Sequence, residues 1–140
     1  MTIHQVFPER YDEQLQDKIN ELSQLFSDYE HPELEVFESP KTHYRMRAEF
    51  KIWHQGDDLH YAMFQAGEPK KPFVIDEFPV ASQQINALMP KLLNALKPSE
   101  LLRKRLFQAE FLNTLTGETL ITLIYHKPLS DEWEEQAKQL

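Results

Sequence analysis

The sequence predicts an α+β domain: a mainly antiparallel sheet of about five strands packed on helices, in the order α-β-β-β-α-β-β-α. Three observations predict it. Apolar residues recur at helical spacing at the start, middle and end of the chain. Between those stretches the apolar period changes to two, and the period-two stretches are joined by short turns that carry glycine. Short turns favour antiparallel pairing, with helices covering one face. A chain of 140 residues fits one domain with a real core.

The elements follow in order. After Pro8, the residues Tyr11, Leu15, Ile19, Leu22 and Phe26 form one apolar stripe, so an amphipathic helix starts with proline in its first turn. Pro32 and Pro40 mark a loop. From Tyr44 to His54, Tyr44, Met46, Ala48, Phe50 and Ile52 point one way; Arg45, Arg47, Glu49, Lys51 and Trp53 point the other. This is a half-buried strand with three cations and an indole on its open face. Gln55-Gly56-Asp57-Asp58 makes a turn, and Leu59 to Gln65 returns as the second strand. Gly67 to Lys71 reads as another turn before a short strand, Phe73-Val74-Ile75. Ile85, Leu88, Met89, Leu92 and Leu96 define the next helix, which Pro90 is expected to kink or break. After Pro98 and Ser99 a short turn ends in Arg103-Lys104-Arg105. Leu106 to Thr114 and Glu118 to His126 form a second hairpin about Thr116-Gly117. The last helix opens at Asp131, with Glu134 three residues on, which matches a capping box with Asp in the cap position. Trp133, Ala137 and Leu140 begin an apolar stripe that stops with the chain, as expected of a polypeptide meant to continue.

Composition excludes several chemistries. Cysteine is absent, which removes disulfides, thiolate metal sites and a cysteine nucleophile. No apolar run approaches the ~18 residues of a membrane span, and the first ten residues lack a basic start followed by an apolar core, so a cytoplasmic protein without a signal peptide is expected. The three glycines, Gly56, Gly67 and Gly117, all sit in turns between strands, so phosphate-loop and dinucleotide readings fail. His4, His31, His43, His54, His60 and His126 show no metal-ligand spacing; His54 and His60 could approach across the first hairpin, yet a zinc site needs three or four ligands. Ser82, near a helix start, reads as a cap, and Asp57 and Asp58 as turn residues. No metal and no cofactor are expected in this chain. The net charge of −8 opposes contact with phosphate, but its distribution matters. Residues 1–43 hold 3 basic and 10 acidic side chains, whereas residues 44–126 hold 10 and 9. The middle of the chain can therefore present a local basic face.

The run Ser39-Pro40-Lys41-Thr42-His43-Tyr44-Arg45-Met46-Arg47-Ala48-Glu49-Phe50-Lys51-Ile52-Trp53-His54, followed by Gly56-Asp57-Asp58-Leu59, closely resembles the N-terminal region of bacterial tRNA (uracil-5-)-methyltransferases. Phe78-Pro79, Ile85-Asn86, Leu88-Met89, Leu106-Phe107-Gln108, Leu123-Ile124-Tyr125-His126-Lys127 and Asp131-Glu132-Trp133 extend the resemblance over essentially the whole chain. The resemblance implies a full-length enzyme that methylates C5 of the T-loop uridine of tRNA. Its S-adenosylmethionine, its cysteine that adds to C6 of uracil and its glutamate base would belong to a C-terminal Rossmann-like domain. This chain has neither cysteine nor a glycine-rich cofactor turn. The resemblance therefore implies a single N-terminal RNA-docking domain over residues 1–140, or part of one, catalytically inactive alone, with tRNA (T-arm) as partner.

The resemblance also implies that Phe107 and His126 contact the rearranged loop. The residues support this independently. If Thr116-Gly117 is a two-residue hairpin loop, Leu115 faces Glu118 and Phe107 lies opposite His126. Two rings side by side on a sheet make a stacking platform for unstacked bases. Each candidate has a plainer reading. Phe107 could be core and His126 a strand-end surface residue. Arg45, Arg47 and Lys51 are either phosphate contacts or a solvated face partnered by Glu49; Arg103, Lys104 and Arg105 are either the main electrostatic contact or a polar loop. Trp53 either shares the open face or lies buried under a helix. The rival to the RNA reading is a protein–protein interaction domain whose acidic flanks meet a basic partner.

Overall fold

The computed structural model describes residues 6–65 and 67–140. The N-terminal stretch read for a signal peptide begins in residues 1–5, which lie outside that range, as does His4. A 3-10 turn at Pro8–Arg10 leads into α1 (Tyr11–Leu25). Then come β1 (Arg47–Gln55), β2 (Asp58–Gln65), β3 (Glu68–Ile75), α2 (Gln83–Leu96), α3 (Glu100–Arg103), β4 (Leu106–Asn113), β5 (Thr119–Tyr125) and α4 (Asp131–Ala137). The class is α+β in the predicted order. The strands form one antiparallel sheet ordered β3-β2-β1-β4-β5, so α2 and α3 carry the chain from one edge past β1 to β4.

One face of the sheet is the core. Alternation along β1 buries Ala48, Phe50 and Ile52, and β4 buries Leu106, Ala109 and Phe111. They pack on the α2 stripe Ile85, Met89, Leu92 and Leu96, with Leu102 of α3 beside it. Phe50 sits at the centre, its ring 5.2 Å from Tyr61, 5.3 Å from Phe78 and 6.2 Å from Phe111. The Tyr61 hydroxyl donates to the Met89 carbonyl at 2.7 Å, and burial pushes its pKa up. Ser82 caps α2 as expected, accepting from the Ile85 amide at 3.2 Å while its hydroxyl donates to Asn113 Oδ1 at 2.7 Å.

Several boundaries differ from the sequence reading. β1 starts at Arg47, not Tyr44, because residues 43–45 pair instead with the 79–82 turn: Arg45 bridges Ala81 in parallel, and its amide donates to the Val80 carbonyl. β3 starts at Glu68 and runs through the stretch expected to be a turn. It is an edge strand, where proline costs no central ladder bond and lysine guards against further pairing. Pro90 does not break α2, which continues to Leu96. The cap of α4 is Ser130 rather than Asp131, its Oγ accepting from the Trp133 amide at 3.2 Å. The α1 stripe also fails to reach the core: no α1 residue is buried.

Candidate functional site

The other face of the sheet carries the candidate residues. Trp53, Lys51, Glu49 and Arg47 alternate out of β1, opposite the buried row. Trp53 is 44% exposed, so it belongs to the open face and not beneath a helix.

The second hairpin has a different register from the one expected. Leu112 pairs with Leu120 and Asn113 with Thr119, so partners are displaced by one residue. The loop holds three residues, Leu115, Thr116 and Gly117. Thr114 and Glu118 close it by a backbone bond at 2.9 Å, and Gly117 adopts the left-handed conformation at φ +97. Continued along the strands, that register would turn Phe107 toward the core side with Tyr125. A β-bulge between Leu106 and Gln108 corrects it. Leu106 pairs with Tyr125 and both stay on the core side, while Phe107 and Gln108 both leave the buried row. Phe107 thereby meets His126 after all, with ring centroids 3.8 Å apart at 21°.

The approach to the bulge is strained. Arg105, a non-glycine residue, adopts φ 63. Its carbonyl accepts the His126 amide at 2.9 Å, and its Nε donates to the His126 carbonyl at 3.2 Å. Arg105 thus holds the backbone of His126 at both its amide and its carbonyl. On the neighbouring strand, Lys51 Nζ lies 3.9 Å from the Phe107 ring centroid and donates to Gln108 Oε1 at 2.5 Å. The result is a lysine from β1, a phenyl ring from β4 and an imidazole from just past the end of β5, brought together.

The cations divide by task. Arg47 lies 3.2 Å from Glu49 and 3.9 Å from Glu110, so its charge is answered locally. Arg45 Nε donates to the Arg47 carbonyl at 3.1 Å. Arg103 is only 17% exposed in its side chain, pairs with Asp57 at 2.8 Å and donates to the Lys97 carbonyl at 3.3 Å. It ties α3 to the β1–β2 turn. Lys104 is exposed, with Glu100 at 3.7 Å. Among the described residues no carboxylate lies within ion-pair distance of Arg45, Lys51 or Arg105. Lys127 donates to the Leu101 carbonyl at 2.7 Å, and its pKa is lowered by burial first and by Lys104 second. Sequence reasoning missed the parts played by Gln108, Lys127 and the Arg105 backbone, because the bulge and the left-handed residue leave no signal in periodicity.

His54 and His60 are not brought together. His54 Nε2 is 2.7 Å from the Leu106 carbonyl, while His60 faces Trp53 across the ladder and sits 3.3 Å from Asp58. Among the described residues no group of three or more His, Asp or Glu could hold a metal, and no helix is long and apolar enough to cross a membrane. Gly56, Gly67 and Gly117 each lie between consecutive strands, none in the strand-to-helix turn of a dinucleotide-type site.

Fold and site together define an α+β domain with a ring-and-cation platform on an open sheet face. Residues 10–140 match the family model for tRNA (Uracil-5-)-methyltransferase, and the chain belongs to that family. It is 54% identical over 135 residues to a tRNA/tmRNA (uracil-C(5))-methyltransferase of Vibrio parahaemolyticus, covering 96% of this chain and 36% of that protein. The protein of the same description from Marinomonas sp. is 55% identical over 136 residues, with 97% and 37% covered. That of Vibrio cholerae is 55% identical over 135 residues, with 96% and 36% covered. The chain therefore spans little more than a third of the length of the curated relatives it matches.

Proposed function

We propose that this chain is the RNA-docking portion of a cytoplasmic tRNA (uracil-5-)-methyltransferase, that it holds the T-arm, and that it is catalytically inactive alone. Methyl transfer from S-adenosylmethionine to C5 of the T-loop uridine would then belong to the part of the longer enzyme beyond this chain. The observation that carries the reading is the Phe107–His126 stack with Lys51 over the phenyl ring. Unpaired bases are read by stacking on rings, and a protein that extrudes a base needs a group to take its place in the stack. Lys51, Arg45 and Arg105 supply charge for phosphate, with Lys104 exposed nearby. Arg103 and Arg47 act one step removed, by fixing the turn and the strand. The lack of cysteine and the misfit of the glycines support inactivity.

Binding of a labelled T-arm hairpin, followed by anisotropy, tests this. The hairpin should bind more tightly than a fully paired duplex of the same stem. Phe107→Ala and His126→Ala should each weaken binding by about five-fold to a hundred-fold, the range of one lost base stack. Equal affinity for duplex and hairpin, or variants that bind as the wild type does, would remove the stacking role.

A further inference from the structure

The open face continues beyond the Phe107–His126 stack, and we infer that Trp53 is a second base-stacking residue of the same RNA surface. The inference rests on the RNA reading above. The pairing register places the residues. Lys51 lies opposite Gln108, so Trp53, two residues further along β1 on the same face, comes level with the bulge that presents Phe107. On its other side Trp53 lies opposite His60, which alternates outward between buried Leu59 and Tyr61. His54, next in the chain, binds the Leu106 carbonyl at 2.7 Å, tying β1 to β4 at the bulge. Ring-bearing residues thus occupy one end of the open face on three consecutive strands and just past a fourth: His60, Trp53, Phe107 and, after β5, His126.

The exposed rings in that row are Trp53 and His126, while His60 and Phe107 are partly covered. Lys51 lies over Phe107 at 3.9 Å and His126 stacks on it at 3.8 Å, so Phe107 and the exposed His126 form one stack, and Trp53 stands apart from it. Trp53 stacks on no other ring among the described residues, although it is the largest apolar side chain on the face. Two residues back along the same strand face stands Lys51, whose ammonium lies over the Phe107 ring and has no carboxylate within ion-pair distance. An indole beside an uncompensated cation, in line with a second ring stack, suits a nucleobase joined to its phosphate. The occupant is an unpaired base of the bound RNA.

Tryptophan emission reports this contact. The only other tryptophan, Trp133, packs on Tyr125 at 5.2 Å on the core side and can be replaced by Phe. In the Trp133→Phe chain, adding the T-arm hairpin should quench the remaining emission. Trp53→Ala should weaken binding about ten-fold, while Trp53→Phe, which keeps a ring, should retain most of the affinity. Unchanged emission with undiminished Trp53→Ala binding overturns the inference and leaves the Phe107–His126 reading intact. If the wild-type chain binds no hairpin RNA, both fail together. A shift in Trp53 emission with protein concentration, and none with RNA, overturns it in favour of contact with a second copy.

Discussion

At Asp58 two donors converge on one carboxylate, Lys97 Nζ at 2.6 Å and the Leu59 amide at 2.9 Å, with His60 Nε2 3.3 Å away. Its pKa is held below the usual carboxylate range, first by the Lys97 hydrogen bond and then by the backbone bond. A group with a depressed folded pKa contributes stability above its unfolded value, about 3.9, and that contribution is lost as pH falls through the folded value. Asp58→Asn should therefore lower the melting temperature at neutral pH, and the gap to wild type should close in acid below the usual carboxylate range. Thermal melts across pH read this; a gap that stays constant with pH would mean that the ionised form is not what matters. Arg103 offers a second check. Because Asp57 and the Lys97 carbonyl hold it, Arg103→Ala should cost stability of about 1 kcal/mol, measured by denaturant unfolding.

The second hairpin shows how far sequence carried at the element scale. Alternation and the glycine located both strands, and the nearness of the Phe107 and His126 rings was reached, but through a two-residue loop and a ladder pairing that do not exist. The three-residue loop shifts the register by one, and the bulge between Leu106 and Gln108 shifts it by one more, which restores the facing of the side chains but not the partners. Neither is visible in a pattern of period two, because a bulge adds a residue without changing which side chains are apolar. The loop itself is testable. Gly117 sits at φ +97, where an added Cβ meets only Gln84 Oε1 at 3.5 Å, so crowding is minor and the backbone conformation dominates. Gly117→Ala should destabilise by about 1 kcal/mol, read as a fall in melting temperature. The basic run was legible as charge but not as geometry: Arg103 turns to Asp57, Lys104 stays exposed near Glu100, and Arg105 clamps His126. The α1 stripe was likewise legible as a helix, while its lack of a buried partner in this chain was not.

Across the whole molecule, charge and order are divided between the sheet and the N-terminal arm. Residues 1–43 carry 10 of the 23 acidic side chains, and α1 buries no residue. The arm leaves Leu25 68% and Phe37 87% exposed. By contrast the sheet and α2 enclose the Phe50 cluster. Amide hydrogen exchange should divide the same way, with α1 exchanging far faster than α2 and β1. Comparable protection in α1 and α2 would show that α1 is held by more than its own hydrogen bonds. On the proposed reading, the acidity of the arm would keep it from phosphate and leave RNA contact to the open face. The most direct test of that division is the salt dependence of T-arm hairpin binding between about 50 and 200 mM salt. With Arg45, Lys51 and Arg105 as the uncompensated cations, the logarithm of affinity should fall with a slope of about −2, and Lys51→Ala should flatten it by about 1. Hairpin binding that ignores salt, or is absent at both concentrations, would contradict the assignment of this face to RNA.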